Sequence, residues 1–381
     1  MQFRLIIDLD GIMVPLAVYL YFQFMSGSVI TGTGAYIPGT VQSNEDFLRH
    51  NFFEVSGLPL SSPAAMTIEK FGKITGIRER RYVPSTLNAS DMAAEAGRQA
   101  LVDSRIDWET LDQIVVAHNF GDILPGHHQS QNVPSLACRV KNLLGITRPE
   151  CIAYDVLVGC PGWVHSLIQS HVWFKAGMAK KVLLIGTETL SRVVDPSDRD
   201  SMIFSDGAGA CVLEFIDSAE NRAGILSTAA QTHSGKELEY INMGEAYSQE
   251  NGNKALFLKM KGRKVYEYAL NHVPAAMKLC LDQADIEIGQ VSKVLIHQAN
   301  EKMDEEILKR FYSLYGLSHP PPGIMPMSIQ WLGNSSVATI PTLYHLIRKG
   351  EMPEHEIKKG DIILFASVGA GMNINAVSYR V

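Results

Sequence analysis

The sequence predicts an α/β fold, in which buried strands alternate with amphipathic helices along most of the chain. Three observations carry this expectation. Short β-branched runs at 113–117, 181–186, 209–215, 293–297 and 361–366 read as buried strands. Helical spacing of apolar residues fills the intervals at 90–103, 162–176, 265–282 and 303–312. The 381 residues, 46% hydrophobic and 19% charged, are enough to bury a large core, and no low-complexity linker divides them.

Taken in order, the first feature is an apolar run at 12–22, interrupted by Pro15 and too short to cross a bilayer. It lacks the basic start of a signal peptide, because Arg4 is outweighed by Asp8 and Asp10, and no small-residue cleavage site follows. Residues 1–25 therefore read as an appended leader or as translated sequence upstream of a start at Met25. The second reading is preferred, since 28–38 has the pattern of a first strand and turn. Beyond this, two halves look alike. Each runs from a helix through an Asp-rich turn (103–112; 282–289) into a buried strand with a His at or just after its end, His118 or His297. Each has a later strand closing on a glycine turn, at Gly186 and at Gly369-Ala-Gly371. We expect a duplicated α/β core with one half at 26–220 and the other at 221–381.

Composition excludes several classes. A net charge of −6 argues against wholesale nucleic-acid binding, which leans on Lys and Arg contacts to phosphate. The five cysteines (138, 151, 160, 211 and 280) are odd in number and have no CxxC spacing. They suggest neither a disulfide framework nor a zinc site, and they fit a reducing cytoplasm. No phosphate-binding, zinc-protease or dinucleotide-binding fingerprint is present.

Cys160 is the sharpest candidate. It lies in Asp155-Val-Leu-Val-Gly-Cys-Pro-Gly-Trp163, where an apolar stretch stops at glycine and a helix begins. Backbone N–H groups and the positive end of a helix dipole favour thiolate over thiol. His297 closes a strand and opens Gln298-Ala-Asn300, at the sheet edge where open α/β folds place ligands. Asn334, in Gly333-Asn-Ser-Ser336 ahead of a helix at 335–348, offers an amide to a developing oxyanion. A strand-end cysteine is also an ordinary core residue, and Cys138, Cys151, Cys211 and Cys280 are read that way. His127 and His128 read as loop residues, and His165 and His171 as packing or surface positions on the helix after Cys160.

From about Ser28 to Val381 the chain resembles the thiolase-superfamily condensing enzymes, specifically the β-ketoacyl-acyl-carrier-protein synthase III family. The resemblance rests on 154–163 around the cysteine, Asp195-Pro-Ser-Asp-Arg199, 204–210, His297-Gln-Ala-Asn300, Gly333-Asn-Ser-Ser336 and Gly369-Ala-Gly371, in the family's order. It implies a thiolase-like fold of two duplicated halves in a five-layered αβαβα stack, and an acyltransferase activity. Cys160 would be the acyl-accepting nucleophile, His297 and Asn334 its partners, and the Cys160 and Gly371 N–H groups an oxyanion hole. A decarboxylative Claisen condensation with malonyl-carrier is implied, with no metal or redox cofactor. A cytoplasmic homodimer is implied too, with an acidic acyl carrier protein as partner and no nucleic acid or membrane. Arg199 matches a CoA-contacting arginine and Lys302 a carrier-contacting one. Lys259, Lys261, Arg263 and Lys264 form a second basic cluster, for docking or simply solvated.

Two departures bear on the substrate. The segment 66–76 lacks the Trp and Arg with which the family clasps the CoA adenine, and the loop 120–132 is long, with Val133 where a tunnel-capping aromatic is expected. The extra stretch 52–65 adds to this. Fatty-acid initiation from a short acyl-CoA is therefore set beside a specialised synthase of dialkylresorcinol, polyene or polyketide pathways that takes carrier-bound or longer acyl donors.

Overall fold

The structure, a computed structural model, describes residues 6–9, 12–15, 26–217, 223–248 and 254–381. The expected boundary at 220/221 lies outside these residues, as does most of 1–25. Within the latter, Ile6–Leu9 and Ile12–Pro15 form an antiparallel hairpin.

Two mixed sheets organise the chain. In the first, Ser26–Tyr36 lies beside Asp206–Asp217, then Lys181–Thr189, Gln113–Ala117 and Ile152–Val156. In the second, Gly224–Thr232 lies beside Asn373–Arg380, then Ile362–Gly369 and Val291–Ile296. Each sheet thus runs from its half's first strand to its last, then to the next-to-last and onward. In both, the first two pairings are antiparallel and the next is parallel. That shared order is the structural form of the duplication.

Helices fill the spaces because their apolar faces need sheet to cover. Ala89–Ser104 and Leu136–Leu143 pack on the outer face of the first sheet through Met92, Ala96, Leu101 and Val140 against Ile114, Leu183 and Val212. Gly262–Asp282 and Glu301–Ser313 cover the outer face of the second through Met277, Ile307 and Phe311 against Val294, Leu364 and Ile374. Between the sheets lie Gly162–Lys175 and Thr339–Arg348, whose Leu167, Phe174, Leu343 and Tyr344 meet Leu184 and Leu213 on one side and Phe365 and Val377 on the other. The result is the αβαβα stack. Thr339–Arg348 is buried at every position from Thr339 to Ile347, as a place between two sheets requires.

One expected helix is altered. The pattern at 335–348 breaks into a short 3-10 turn at Ser336–Ala338 followed by Thr339–Arg348. The cause is Ser336, held at φ +53, a left-handed conformation that a helix interior does not admit.

Candidate active site

Cys160 sits on the loop between the strand Ile152–Val156 and the central helix Gly162–Lys175. The left-handed Gly159 before it turns the chain back toward the helix. The helix end gives the sulfur less help than its position suggests. Pro161 has no N–H, and the Gly162 N–H donates to Gly159 O at 3.0 Å. Burial then dominates, and the thiol is pushed up to about 11, with the nearby Glu188 carboxyl acting in the same direction. The expected lowering by the helix terminus is overturned by desolvation, and the resting group is a thiol.

Two other segments meet this loop, and a third meets one of them. The first is Gly369-Ala-Gly371 at the end of Ile362–Gly369. A Cβ on Gly369 would lie 2.5 Å from Cys160 N and 2.9 Å from its Cβ, so only glycine permits the approach. Across the same contact, a Cβ on Gly159 would lie 2.7 Å from Ala370 N. Gly371, the residue expected to supply a donor, is one place further on at φ +73, and a Cβ there would meet only Asn373.

The second is the Asn334 loop. Its backbone is clamped to the segment after Arg199, with Asn334 N donating to Ile203 O (3.0 Å) and Ser205 N to Asn334 O (2.9 Å). The Gly333 turn, at φ +66, sits against the Arg80 side chain. Arg80 is fully buried, makes no ion pair among the described residues, and its guanidinium donates to Met202 O, Gln42 O and Asn44 Oδ1. Asn334 Oδ1 accepts the Ser336 N–H at 2.8 Å, which leaves the amide nitrogen as the free donor. Ser336 Oγ in turn donates to Cys160 Sγ at 3.2 Å.

The third is the loop opened by His297, whose N–H donates to Ala366 O. Gln298, fully buried, accepts from Ser328 N and Ile329 N and donates to Pro326 O, tying this loop to the segment before Asn334. Asn300 caps the helix Glu301–Ser313 by accepting from Met303 N. Burial lowers the His297 ring to about 4, offset only in part by the Ser336 main chain, so the imidazole is neutral at physiological pH.

Three participants went unread in the sequence. Ser336 sat unremarked inside a quoted motif. Asn119, beside the half-equivalent His118, donates through Nδ2 both to Ser336 Oγ (3.1 Å) and to Glu188 Oε1. Glu188 was visible as a carboxyl near the end of the buried strand Lys181–Thr189. His118 itself is structural: it bonds Asp155, which accepts from Leu136 N and Ala137 N at the start of another helix.

A cavity of about 620 Å³ adjoins the site, walled by Phe71, Ile203, Met260, Tyr266, Asn300 and Met303. The helix Ala64–Thr75, with Met66, Lys70 and Ile74, forms part of its wall, and the exposed Arg199 and Arg263 stand on its lining. Lys302 is exposed on the first turn of Glu301–Ser313. The second basic cluster is split. Lys259 is buried, paired with Asp195 at 2.5 Å and Asp198 at 3.3 Å and set over the Tyr247 ring, so it belongs to the core rather than to a docking face. Among the described residues no helix is long and apolar enough to cross a membrane.

Comparison with known proteins identifies the family. Residues 154–234 match the family described as 3-oxoacyl-[acyl-carrier-protein (ACP)] synthase III, and 281–381 match its C-terminal part. The chain is 31% identical over 355 residues to the β-ketoacyl-[acyl-carrier-protein] synthase III of Neisseria gonorrhoeae, covering 93% of this chain and 99% of that one. It is 30% identical to that of Ehrlichia chaffeensis, covering 94% and 100%. The crystal structure of the Aquifex aeolicus synthase III superposes with a TM-score of 0.73 at 28% identity, over 93% and 100% of the two chains. The chain belongs to the 3-oxoacyl-[acyl-carrier-protein] synthase III family.

Proposed function

We propose that this condensing enzyme, an acyltransferase of the synthase III type, works through an acyl-Cys160 intermediate and a decarboxylative Claisen condensation with a malonyl-carrier thioester. The observation that supports the residue roles is that the Gly369 turn and the Asn334–Ser336 loop both meet Cys160, while the main chain of Ser336 also faces the buried His297 ring.

In the first half-reaction Cys160 sulfur attacks the thioester carbonyl, and the thiol proton leaves on the departing pantetheine thiol. The oxyanion is held by main-chain N–H groups of Cys160 and of the 369–371 turn. Within that turn, Ala370 is the residue whose N–H lies beside the nucleophile loop. In the second, malonyl thioester loses CO₂, and the enolate oxygen takes hydrogen bonds from neutral His297 and from the amide nitrogen of Asn334. Attack of the enolate carbon on acyl-Cys160 releases the 3-oxoacyl carrier and the Cys160 thiolate, which takes up one proton from solvent to return the thiol. Each donor aimed at developing charge in a dry site contributes about 3 kcal/mol. This chemistry uses no metal or redox cofactor.

The 620 Å³ cavity is where we place the pantetheine arm, with Arg199 and Lys302 as the cationic contacts for a nucleotide or an acidic carrier. The protein works as a cytoplasmic homodimer in this reading. A second reading, carrier-bound or longer primers of a specialised pathway, is favoured by the helix Ala64–Thr75, whose Met66, Lys70 and Ile74 on the cavity wall include no Trp and no Arg.

Mass spectrometry of Cys160 after exposure to acyl-CoA and acyl-carrier donors, then a malonyl-carrier chase, tests both readings. Acetyl-CoA labelling followed by loss of the label to a 3-oxoacyl carrier supports initiation. Labelling only by carrier-bound or long donors supports the second reading, and no adduct with any donor refutes the nucleophile.

A further inference from the structure

Glu188, Asn119 and Ser336 form a directional chain that ends on the nucleophile. Its direction follows from the donor inventory. The Asn119 amide nitrogen has two hydrogens, and its two neighbours are Glu188 Oε1 and Ser336 Oγ, at 3.1 Å for the latter. With Asn119 held this way round, the Ser336 oxygen receives one hydrogen bond as acceptor. Its own hydrogen is then free for the sulfur 3.2 Å away. The main chain reinforces this, because the Ser336 N–H is committed to Asn334 Oδ1 and the residue is held at φ +53. Neither the attack nor the decarboxylation uses Asn119 or Glu188, and Glu188 is an ionisable side chain 1% exposed in a strand whose other ionisable residue, Lys181, lies at its far end.

We propose that Ser336 is a catalytic hydrogen-bond donor to the Cys160 thiolate, and that Asn119 and Glu188 are positioning residues that hold its hydroxyl in the donating orientation. The chain stabilises the sulfur anion as it forms and again as it leaves the acyl group at the end of the condensation. It also explains how a half-buried thiol, followed by a proline without an N–H and by a Gly162 N–H already taken by Gly159 O, remains a usable nucleophile. A donor that must point at sulfur replaces part of the lost solvation. This rests on the reading of Cys160 as nucleophile but not on the identity of the acyl donor.

The test is the rate of Cys160 alkylation by iodoacetamide, read by peptide mass spectrometry on the full-length protein between pH 7 and 9.5. Over this range the rate follows the thiolate fraction. Ser336→Ala should slow alkylation by about 10- to 100-fold at every pH, the scale of one hydrogen bond to a charged group. Asn119→Ala should slow it in the same sense but should add nothing in the Ser336→Ala background, since it acts only through that hydroxyl. Glu188→Gln and Glu188→Met both lack the charge, and only Gln keeps an acceptor for Asn119. The Met variant should therefore be the slower of the two. An unchanged rate in Ser336→Ala, full additivity of the Asn119 and Ser336 substitutions, or equal rates in the two Glu188 variants would overturn the proposal. If Ser336→Ala fails to fold, the Glu188 pair still decides. Should these shifts appear while no thioester acylates Cys160, the hydrogen-bond chain stands and the functional reading falls.

Discussion

Substituting Gly369 by alanine isolates the approach of the C-terminal turn to the nucleophile. Gly369 has φ −168 and ψ −166, an extended conformation open to any residue, so alanine adds no backbone strain. It adds a methyl group 2.5 Å from Cys160 N, 2.7 Å from Pro161 Cδ and 2.9 Å from Cys160 Cβ. To reach the 3.0–3.4 Å of the tightest tolerated contacts, the Cys160 loop must retreat by about half to nine-tenths of an ångström. Overpacking on this scale costs about 1–3 kcal/mol of stability. A displacement approaching 1 Å at a reacting atom costs up to about 10²-fold in rate. The assay pairs urea unfolding with the rate of Cys160 acylation, and Gly289→Ala serves as control because its methyl group enters open space without positive φ. We expect Gly369→Ala to lose acylation by 10- to 100-fold while Gly289→Ala stays within about 0.5 kcal/mol of the parent. Unimpaired acylation in Gly369→Ala would refute the idea that this turn sets the position of the nucleophile.

Three further outcomes follow from the site and its surroundings. Asn334→Ala should still acylate Cys160 yet slow the malonyl chase by about 10²- to 10³-fold; equal loss of both steps would contradict its assignment to the enolate. Glu188 is held by burial at about 8 instead of 4.5, so between those values the folded chain keeps a proton that the unfolded chain has released. Its stability contribution is complete below pH 4.5 and is lost as pH rises toward 8. Relative to Glu188→Gln, the parent should thus lose up to about 1.4 kcal/mol per pH unit over pH 5–8 in urea titrations. Asp200 and Asp206, raised to about 6, cancel in that difference, and a flat difference would refute the buried carboxyl. Lys259→Met should cost about 3–5 kcal/mol by stranding Asp195 and Asp198. An equally stable variant with weakened carrier binding would return Lys259 to the docking face.

Much of the architecture was legible because periodicity reports burial. The strand Gln113–Ala117 and the helix Ala89–Ser104 lie where the alternation of β-branched and amphipathic stretches puts them. The repeated His-after-strand and glycine-turn pattern corresponds to a shared strand order in the two sheets. What sequence did not convey was hydrogen-bond direction. Nothing in Gly333-Asn-Ser-Ser336 says that the second serine adopts a left-handed conformation and turns its hydroxyl to a sulfur 176 residues earlier in the chain. Nor does a lysine in a basic run announce two buried aspartates waiting for it some 60 residues earlier. Such facts depend on contacts that close only in the tertiary fold.

The same limit corrects the chemistry of Cys160. Reasoned locally, a cysteine ahead of a helix is a thiolate, and a nearby histidine invites an imidazolium partner. The fold removes both conditions. Pro161 lacks an N–H and the Gly162 N–H is taken by Gly159 O, while burial pushes the thiol up to about 11 and the imidazole down to about 4. A resting ion pair would need both groups to charge against desolvation, so thiol and neutral imidazole form the ground state. Neutrality suits the second half-reaction. An imidazole that resists protonation can donate a hydrogen bond to the enolate without protonating it before carbon–carbon bond formation. The anion on sulfur, by contrast, needs donors that never ionise, and main-chain N–H groups and the Ser336 hydroxyl are of that kind. The division of labour therefore follows from how burial acts on each group: amide and hydroxyl donors for the sulfur, neutral imidazole and Asn334 for the carbanion.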